Sequence, residues 1–261
     1  MPALHQQLCW TETPGSPWQD RPAPPDTHDY PTLTYERDGR IARLTFNRPD
    51  KGNAITADTP LDLAHAVERA DLDPRVHVIL VSGRGKGFCG GYDLDIFAES
   101  GIDPETGRDD VTGTTVDPVA QAINHNPWAA AGMWAHRLGD QRAKRLLFTG
   151  DCISGAQAAQ WGLAVQSCPA EELDERTEEF VARIARMPVN QLMMAKLALN
   201  SALNAQGVAN SGMISTVFDG ISRHTREGYA FQLRSATAGF REAVRERDEP
   251  FGDHKRRQFE D

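Results

Sequence analysis

Nowhere do the 261 residues hold an apolar run approaching the roughly 20 residues that span a bilayer. The opening stretch, MPALHQQLCWTETPGS, lacks the basic-then-apolar order of a secretion signal, so a cytoplasmic protein with no membrane partner is expected. Positive charge is also in short supply. The formal net charge is −9, whereas nucleic-acid surfaces leave a basic footprint, so no nucleic-acid partner is expected. The four cysteines, Cys9, Cys89, Cys152 and Cys168, never stand in CxxC spacing. They read as reduced thiols, and no metal site is expected. No Ser-His-Asp constellation stands out either.

What is present is an ordinary globular balance, 39% hydrophobic and 25% charged, with room for a core. Length alone suggests one domain, or one with a small helical appendage. Pro2, Pro14, Pro17, Pro22, Pro24 and Pro25 stand among few apolar residues, so residues 1–31 read as an irregular arm. The last residues, 254–261, read as a charged, solvated tail.

The chain is organised around residues 76–94, VHVILVSGRGKGFCGGYDL. Its β-branched, apolar first part reads as a strand buried on both faces. Glycines then crowd in at 83, 85, 87, 90 and 91, with Asp93 just before a short helix. Gly90 and Gly91 allow close backbone approach, and the amides of the following turn carry positive partial charge. Such a turn holds an anion, or an oxygen that becomes anionic. A plain Gly-rich turn remains an alternative. A phosphate loop is the weaker one, because neither GxxxxGK[ST] nor GxGxxG spacing is present.

Upstream, Leu33 to Arg37 and Arg40 to Phe46 flank Asp38-Gly39, the pattern of a hairpin with a two-residue turn. Asn47 to Ile55 is a loop by its Pro, Gly and Asn content. Leu61 to Leu72 has helical spacing, with Leu61, Leu63, Ala64, Val67 and Ala70 assigned inside. Downstream, residues 101–118 form a long polar loop. Helices are expected over Asp140–Phe148 (Ala143, Leu146 and Leu147 inside), after a Ser154 cap, and over Glu171–Met187 (Leu173, Phe180, Val181, Ile184 and Ala185 inside). Further helices are expected over Asn190–Leu203 and Gly239–Arg247.

The octapeptide Gly87-Phe88-Cys89-Gly90-Gly91-Tyr92-Asp93-Leu94 resembles the signature of the crotonase, or enoyl-CoA hydratase/isomerase, family. The resemblance implies that the Tyr92 backbone N–H is one of two donors to a thioester oxygen, with Gly90, Gly91, Asp93 and Leu94 along the substrate. The loop Asn47-Arg48-Pro49-Asp50-Lys51-Gly52-Asn53-Ala54-Ile55 resembles the segment that borders the CoA nucleotide in that family. It implies that Lys51 reaches a CoA phosphate, against the plain reading of an exposed loop lysine, and that Asn53 bonds backbone rather than substrate. Residues 132–139, 143–150 and 153–165 resemble later family segments, and the helix at Gly239 resembles the family's last one. The implied fold is α/β: a crotonase-like spiral of ββα units over residues 32–131, then a helical C-terminal region over 132–261. Coenzyme A would enter as part of the substrate, with no separate cofactor, and the assembly would be a homo-trimer or a hexamer.

One family segment is missing. After about residue 127 the chain lacks a second Gly-rich oxyanion turn of the H-G-x-x-x-G-G type, and with it the usual acidic residues. Two readings follow from the resemblance. One is a lyase or isomerase of fatty acyl-CoA metabolism. Asp95 and Glu99 fall near the acyl loop and are candidates to move protons, though no spacing selects them. His136 reads first as a packed, hydrogen-bonded residue and only second as a proton carrier. The other reading is a catalytically impaired relative that binds CoA thioesters or pairs with other subunits. A nucleotide-binding module is the remote third.

Overall fold

The computed structural model describes residues 25–99 and 131–251. The arm before residue 25, the long loop, the junction near 127 and the charged tail lie outside the described residues. The described chain forms two compact units. One holds the residues up to Asn53 together with Ala57–Cys89; the other holds Ala54–Thr56 together with the residues from Gly90 onward.

The first unit is a four-stranded sheet in the order β1 (Thr27–Asp29), β2 (Leu33–Asp38), β3 (Ile41–Phe46) and β4 (Val78–Gly83). The first three pair antiparallel, and β3 pairs parallel with β4. The parallel step needs a crossover, and α1 (Thr59–Asp71) supplies it. Alternate residues Leu33 and Tyr35 of β2 stand opposite Phe46 and Leu44 of β3, so all four share a face. They bury against Ala66 and Ala70 of α1. This is the expected β-β-α-β order, with small corrections. Residues 27–29, assigned to the arm, form β1. Asp38 pairs with Ile41, so the loop is Gly39-Arg40 rather than Asp38-Gly39, and Gly39 supplies the positive φ of +56°.

The phase of α1 differs from the apolar pattern. Leu61, Ala64 and Val67 are exposed, while Asp62, Ala66 and Ala70 are buried. The cause is polar. The buried Asp62 carboxylate accepts from Thr32 N at 2.9 Å and Thr32 Oγ1 at 2.7 Å, and these bonds set which stripe faces the sheet. β4 is half-buried rather than covered on both faces, because it ends the sheet and no fifth described strand pairs with it.

A charged cluster ties the α1–β4 connection to β2. Asp73, 2% exposed, accepts from Arg75 Nη2 at 2.7 Å, Arg75 Nε at 2.8 Å and Arg75 N at 3.0 Å. Arg37 Nε lies 3.7 Å from the same carboxylate. Burial by itself would raise the Asp73 pKa, but the bonds and charge of Arg75 overcome it and hold it below the ordinary value. Nearby, burial and then the charge of Asp73 push the Tyr35 hydroxyl up. That hydroxyl is buried with no hydrogen-bond partner among the described residues.

The second unit is helical: α2 (Ala131–Leu138), α3 (Asp140–Thr149), α4 (Gly155–Gln160), α5 (Leu173–Ala185), α6 (Val189–Ala205), α7 (Val208–Arg223), α8 (Arg226–Ala238) and α9 (Phe240–Asp248). Ser154 caps α4 in a reciprocal capping box with Gln157. Gly150 ends α3, its N–H donating to Leu146 O. α2 packs on α3 and α7, and α8 packs on α9. Sequence patterning offered no helix for α7 or α8. Several residues assigned to a core, Leu147, Leu173 and Phe180, are exposed. α6 buries no residue, and Met193, Met194, Leu197, Leu199 and Leu203 stand open on it.

The Asp73 cluster yields a pH-dependent prediction. Its folded pKa lies below the unfolded value, so its contribution is complete above about pH 4 and is lost as pH falls through the folded value. Asp73→Asn should therefore be less stable than the parent at pH 7 by about 2 kcal/mol. Urea unfolding at pH 7 and at pH 3 should show that gap closing at the lower pH.

Candidate functional site

The Gly-rich stretch leaves β4 under tight control. Asn53, 3% exposed and at φ +54°, is its fastener. Asn53 Oδ1 accepts from Arg48 N at 2.9 Å, while Nδ2 donates to Arg84 O at 3.0 Å and Gly87 O at 2.9 Å. One side chain thus ties the 47–53 loop to the 84–87 loop, and Asn suits the left-handed backbone it adopts there. As read from the sequence, Asn53 bonds backbone. Gly83 is closed in by the same knot: a Cβ there would lie 2.4 Å from Phe88 O and 2.8 Å from Asn53 Nδ2. Lys51 lies in this first unit, exposed on a short turn at Pro49–Lys51.

The other predicted site residues, Gly90, Gly91, Tyr92, Asp93 and Leu94, fall in the second unit. There Ile55 and Tyr92 form a parallel bridge. Ile55 N donates to Gly91 O at 2.8 Å, and Asp93 N donates to Ile55 O at 2.9 Å. The residues on both sides of Tyr92 are therefore pinned. Gly91 has φ +93°, which a residue with a Cβ adopts only under strain. No atom lies within 4 Å of where its Cβ would be. A side chain at 91 would therefore carry a backbone cost even where there is room for it. Asp93 is 5% exposed, and its carbonyl accepts from Ile96 N and Phe97 N, starting the π-type turn Asp95–Glu99. That is a turn-start role, as its position in the sequence suggests.

Beyond this turn lies a cleft of about 790 Å³ within the second unit. Tyr92, Leu94 and Phe97 line one part, and residues from the end of α7, from α8 and from α9 line the rest. The Tyr92 and Phe97 rings meet edge to face at 5.6 Å. Two carboxylates border the cleft, Glu227 and Glu246. Glu246 is held by Arg234 at 2.6 Å, a pairing that keeps its pKa low. Sequence reading passed over both, because no helix was placed on 226–238 and no spacing tied them to the Gly-rich turn.

His136 is packed and hydrogen-bonded, the plainer of the two readings of its position. Its Nε2 lies 3.0 Å from Ser211 Oγ, and that hydroxyl donates its only proton to Gly207 O at 3.0 Å. The pair ties α2 to α7. Asp95 begins the π-type turn, and Glu99 ends it.

A sequence model described as enoyl-CoA hydratase/isomerase matches residues 36–128 and 125–233. The chain belongs to the enoyl-CoA hydratase/isomerase family. The two matched pieces meet at the place where the sequence lacks its expected segment. The 1,2-epoxyphenylacetyl-CoA isomerase of Escherichia coli K12 is 25% identical over 211 aligned positions. Those positions take in only 62% of this chain and 79% of that protein, so the alignment opens gaps on this chain's side. The crystal structure of an enoyl-CoA hydratase from Mycobacterium smegmatis superposes with a TM-score of 0.74 at 50% identity, covering 89% of this chain and 98% of that one. An enoyl-CoA hydratase/isomerase structure from Xanthobacter autotrophicus Py2, at 22% identity, shares the fold with a TM-score of 0.70, covering 86% of this chain and 100% of that one. The family membership and the crotonase-type α/β fold with its helical C-terminal region are thereby established.

The fastening role of Asn53 within this family fold is testable. Asn53→Ala removes three hydrogen bonds, strands buried backbone groups and puts Ala in a left-handed conformation, so it should cost about 3 kcal/mol. Asn53→Gly should recover no more than about 1 kcal/mol of that, the strain alone. Urea denaturation of both variants beside the parent measures the difference.

Proposed function

We propose that this chain binds an acyl-CoA thioester and acts in the hydratase/isomerase manner, with the thioester oxygen held by the backbone N–H of Tyr92. The observation that carries the reading is the Ile55–Tyr92 bridge. It pins the backbone on both sides of Tyr92, whose residue also lines the cleft. A donor that is fixed before the oxygen arrives needs no reorganisation when charge develops there. Gly90, Gly91, Asp93 and Leu94 would run along the thioester and pantetheine, and Lys51 would meet a CoA phosphate, both by family resemblance. Coenzyme A is then part of the substrate, and no separate cofactor is called for. The protein would work in the cytoplasm without membrane or nucleic-acid partners. No described helix is long and apolar enough to cross a membrane.

A second reading has its own observation. The chain lacks the second Gly-rich turn, and the family match divides at 125–128. One lost oxyanion donor costs about 100- to 1000-fold in rate, and missing acid–base help about 100- to 10,000-fold, without full multiplication. The 261-residue protein should therefore retain CoA-thioester binding while hydrating crotonyl-CoA at least 100-fold below the roughly 10 turnovers per second common among enzymes. The loss of enoyl-thioester absorbance, followed with protein of verified mass, is the measurement. Ordinary turnover would show that other residues of the chain complete the site.

The exposed apolar side chains of α6 and of α7, where Met213, Ile214 and Phe218 stand open, support assembly into trimers or pairs of trimers. Sedimentation at micromolar concentration should give three or six times the chain mass. A monomer would remove this part of the proposal.

A further inference from the structure

The cleft beside Tyr92 has more room and more aromatic surface than a short acyl group uses. At about 790 Å³ it falls in the upper part of the range that holds drug-sized ligands, about 300–1000 Å³. Its apolar lining is Tyr92, Leu94 and Phe97 from the turn, Ala230 and Phe231 from α8, and Ala243 from α9. The aromatic walls are braced. Tyr92 and Phe97 hold each other edge to face, and Arg247 sits 5.5 Å over the Phe231 ring. Three of the charged groups at the cleft are engaged as well: Arg234 with Glu246, and Arg247 with Asp248. Ala230 and Ala243 are the small positions among these larger residues, and they leave the volume open.

From this lining we infer that the acyl group of the substrate is a long or bulky hydrophobic one, and that Ala230 and Phe231 determine this preference. The inference rests on the reading that the Tyr92 N–H holds the thioester oxygen, because that places the start of the acyl group at a residue of the cleft wall. Short acyl groups end near the turn and bury little against α8. Longer ones extend along Phe231 and Ala230 and gain with each carbon removed from water. Glu227, which also borders the cleft, would repel an anionic acyl terminus.

The experiment is calorimetric binding of two saturated, unreactive thioesters, butyryl-CoA and dodecanoyl-CoA, to the full chain, with the longer one kept below its aggregation concentration. Dodecanoyl-CoA should bind at least tenfold more tightly, the return on burying about two of its eight extra methylenes. Ala230→Phe, a change at an exposed helix position that fills the cleft, should lower dodecanoyl-CoA affinity at least tenfold and leave butyryl-CoA affinity unchanged. Phe231→Ala should also weaken the long thioester selectively, and circular dichroism checks that each variant is folded. Equal affinities for the two thioesters in the parent would overturn the inference while leaving the thioester site in place. So would Ala230→Phe binding dodecanoyl-CoA as the parent does. Binding of neither thioester would overturn the acyl-CoA reading itself, and the chain-length preference with it.

Discussion

A single buried amide side chain controls how the Gly-rich stretch leaves its strand. Asn53 spends its oxygen on Arg48 N and its nitrogen on two carbonyls, Arg84 O and Gly87 O. Loops rich in glycine are entropically costly to order, since glycine loses the most backbone freedom on folding. A local hydrogen-bonding hub offsets part of that cost at the place where order is needed. Two residues further along the chain, Ile55 makes the bridge that fixes Gly91 and Asp93. Asn53 and Ile55 therefore serve as anchors for two successive parts of the same glycine-rich stretch.

The elements that depend on neighbouring residues were legible in the sequence. The hairpin, the crossover helix, β4, the Ser154 cap and the start of the turn at Asp93 all follow from local pattern. The octapeptide at 87–94 pointed to the family. What escaped depends on partners far away in sequence. Asp62 turned α1 away from its apolar stripe because Thr32, 30 residues upstream, offered two donors. The one-residue shift of the hairpin loop reflects ladder register, in which Asp38 finds Ile41 across the sheet rather than joining the turn. Glu227, Phe231 and Glu246 entered the cleft only once α8 and α9 were packed together, and no spacing within either helix announces a cleft.

The C-terminal helices make the opposite point. Their amphipathic patterning is real, yet Leu147, Leu173 and Phe180 are exposed. Patterning reports which face seeks cover and is silent about where the cover comes from. The backbone on both sides of Tyr92 rests on bonds to nearby Ile55, so its shape depends on few distant partners.

The glycines of this Gly-rich stretch are not equal, and the difference bears on which sequences this fold admits. Gly83 has three heavy atoms within 2.8 Å of where a Cβ would sit, two of them main-chain oxygens. Gly87, four residues on, has open space at the same position and no positive φ. In a saturation library, position 83 would be an empty column, closed even to alanine, while position 87 would fill with many residue types. A run that looks uniformly glycine-rich thus combines a strict steric requirement with ordinary variable loop, and drift across the family has room to act only on the second.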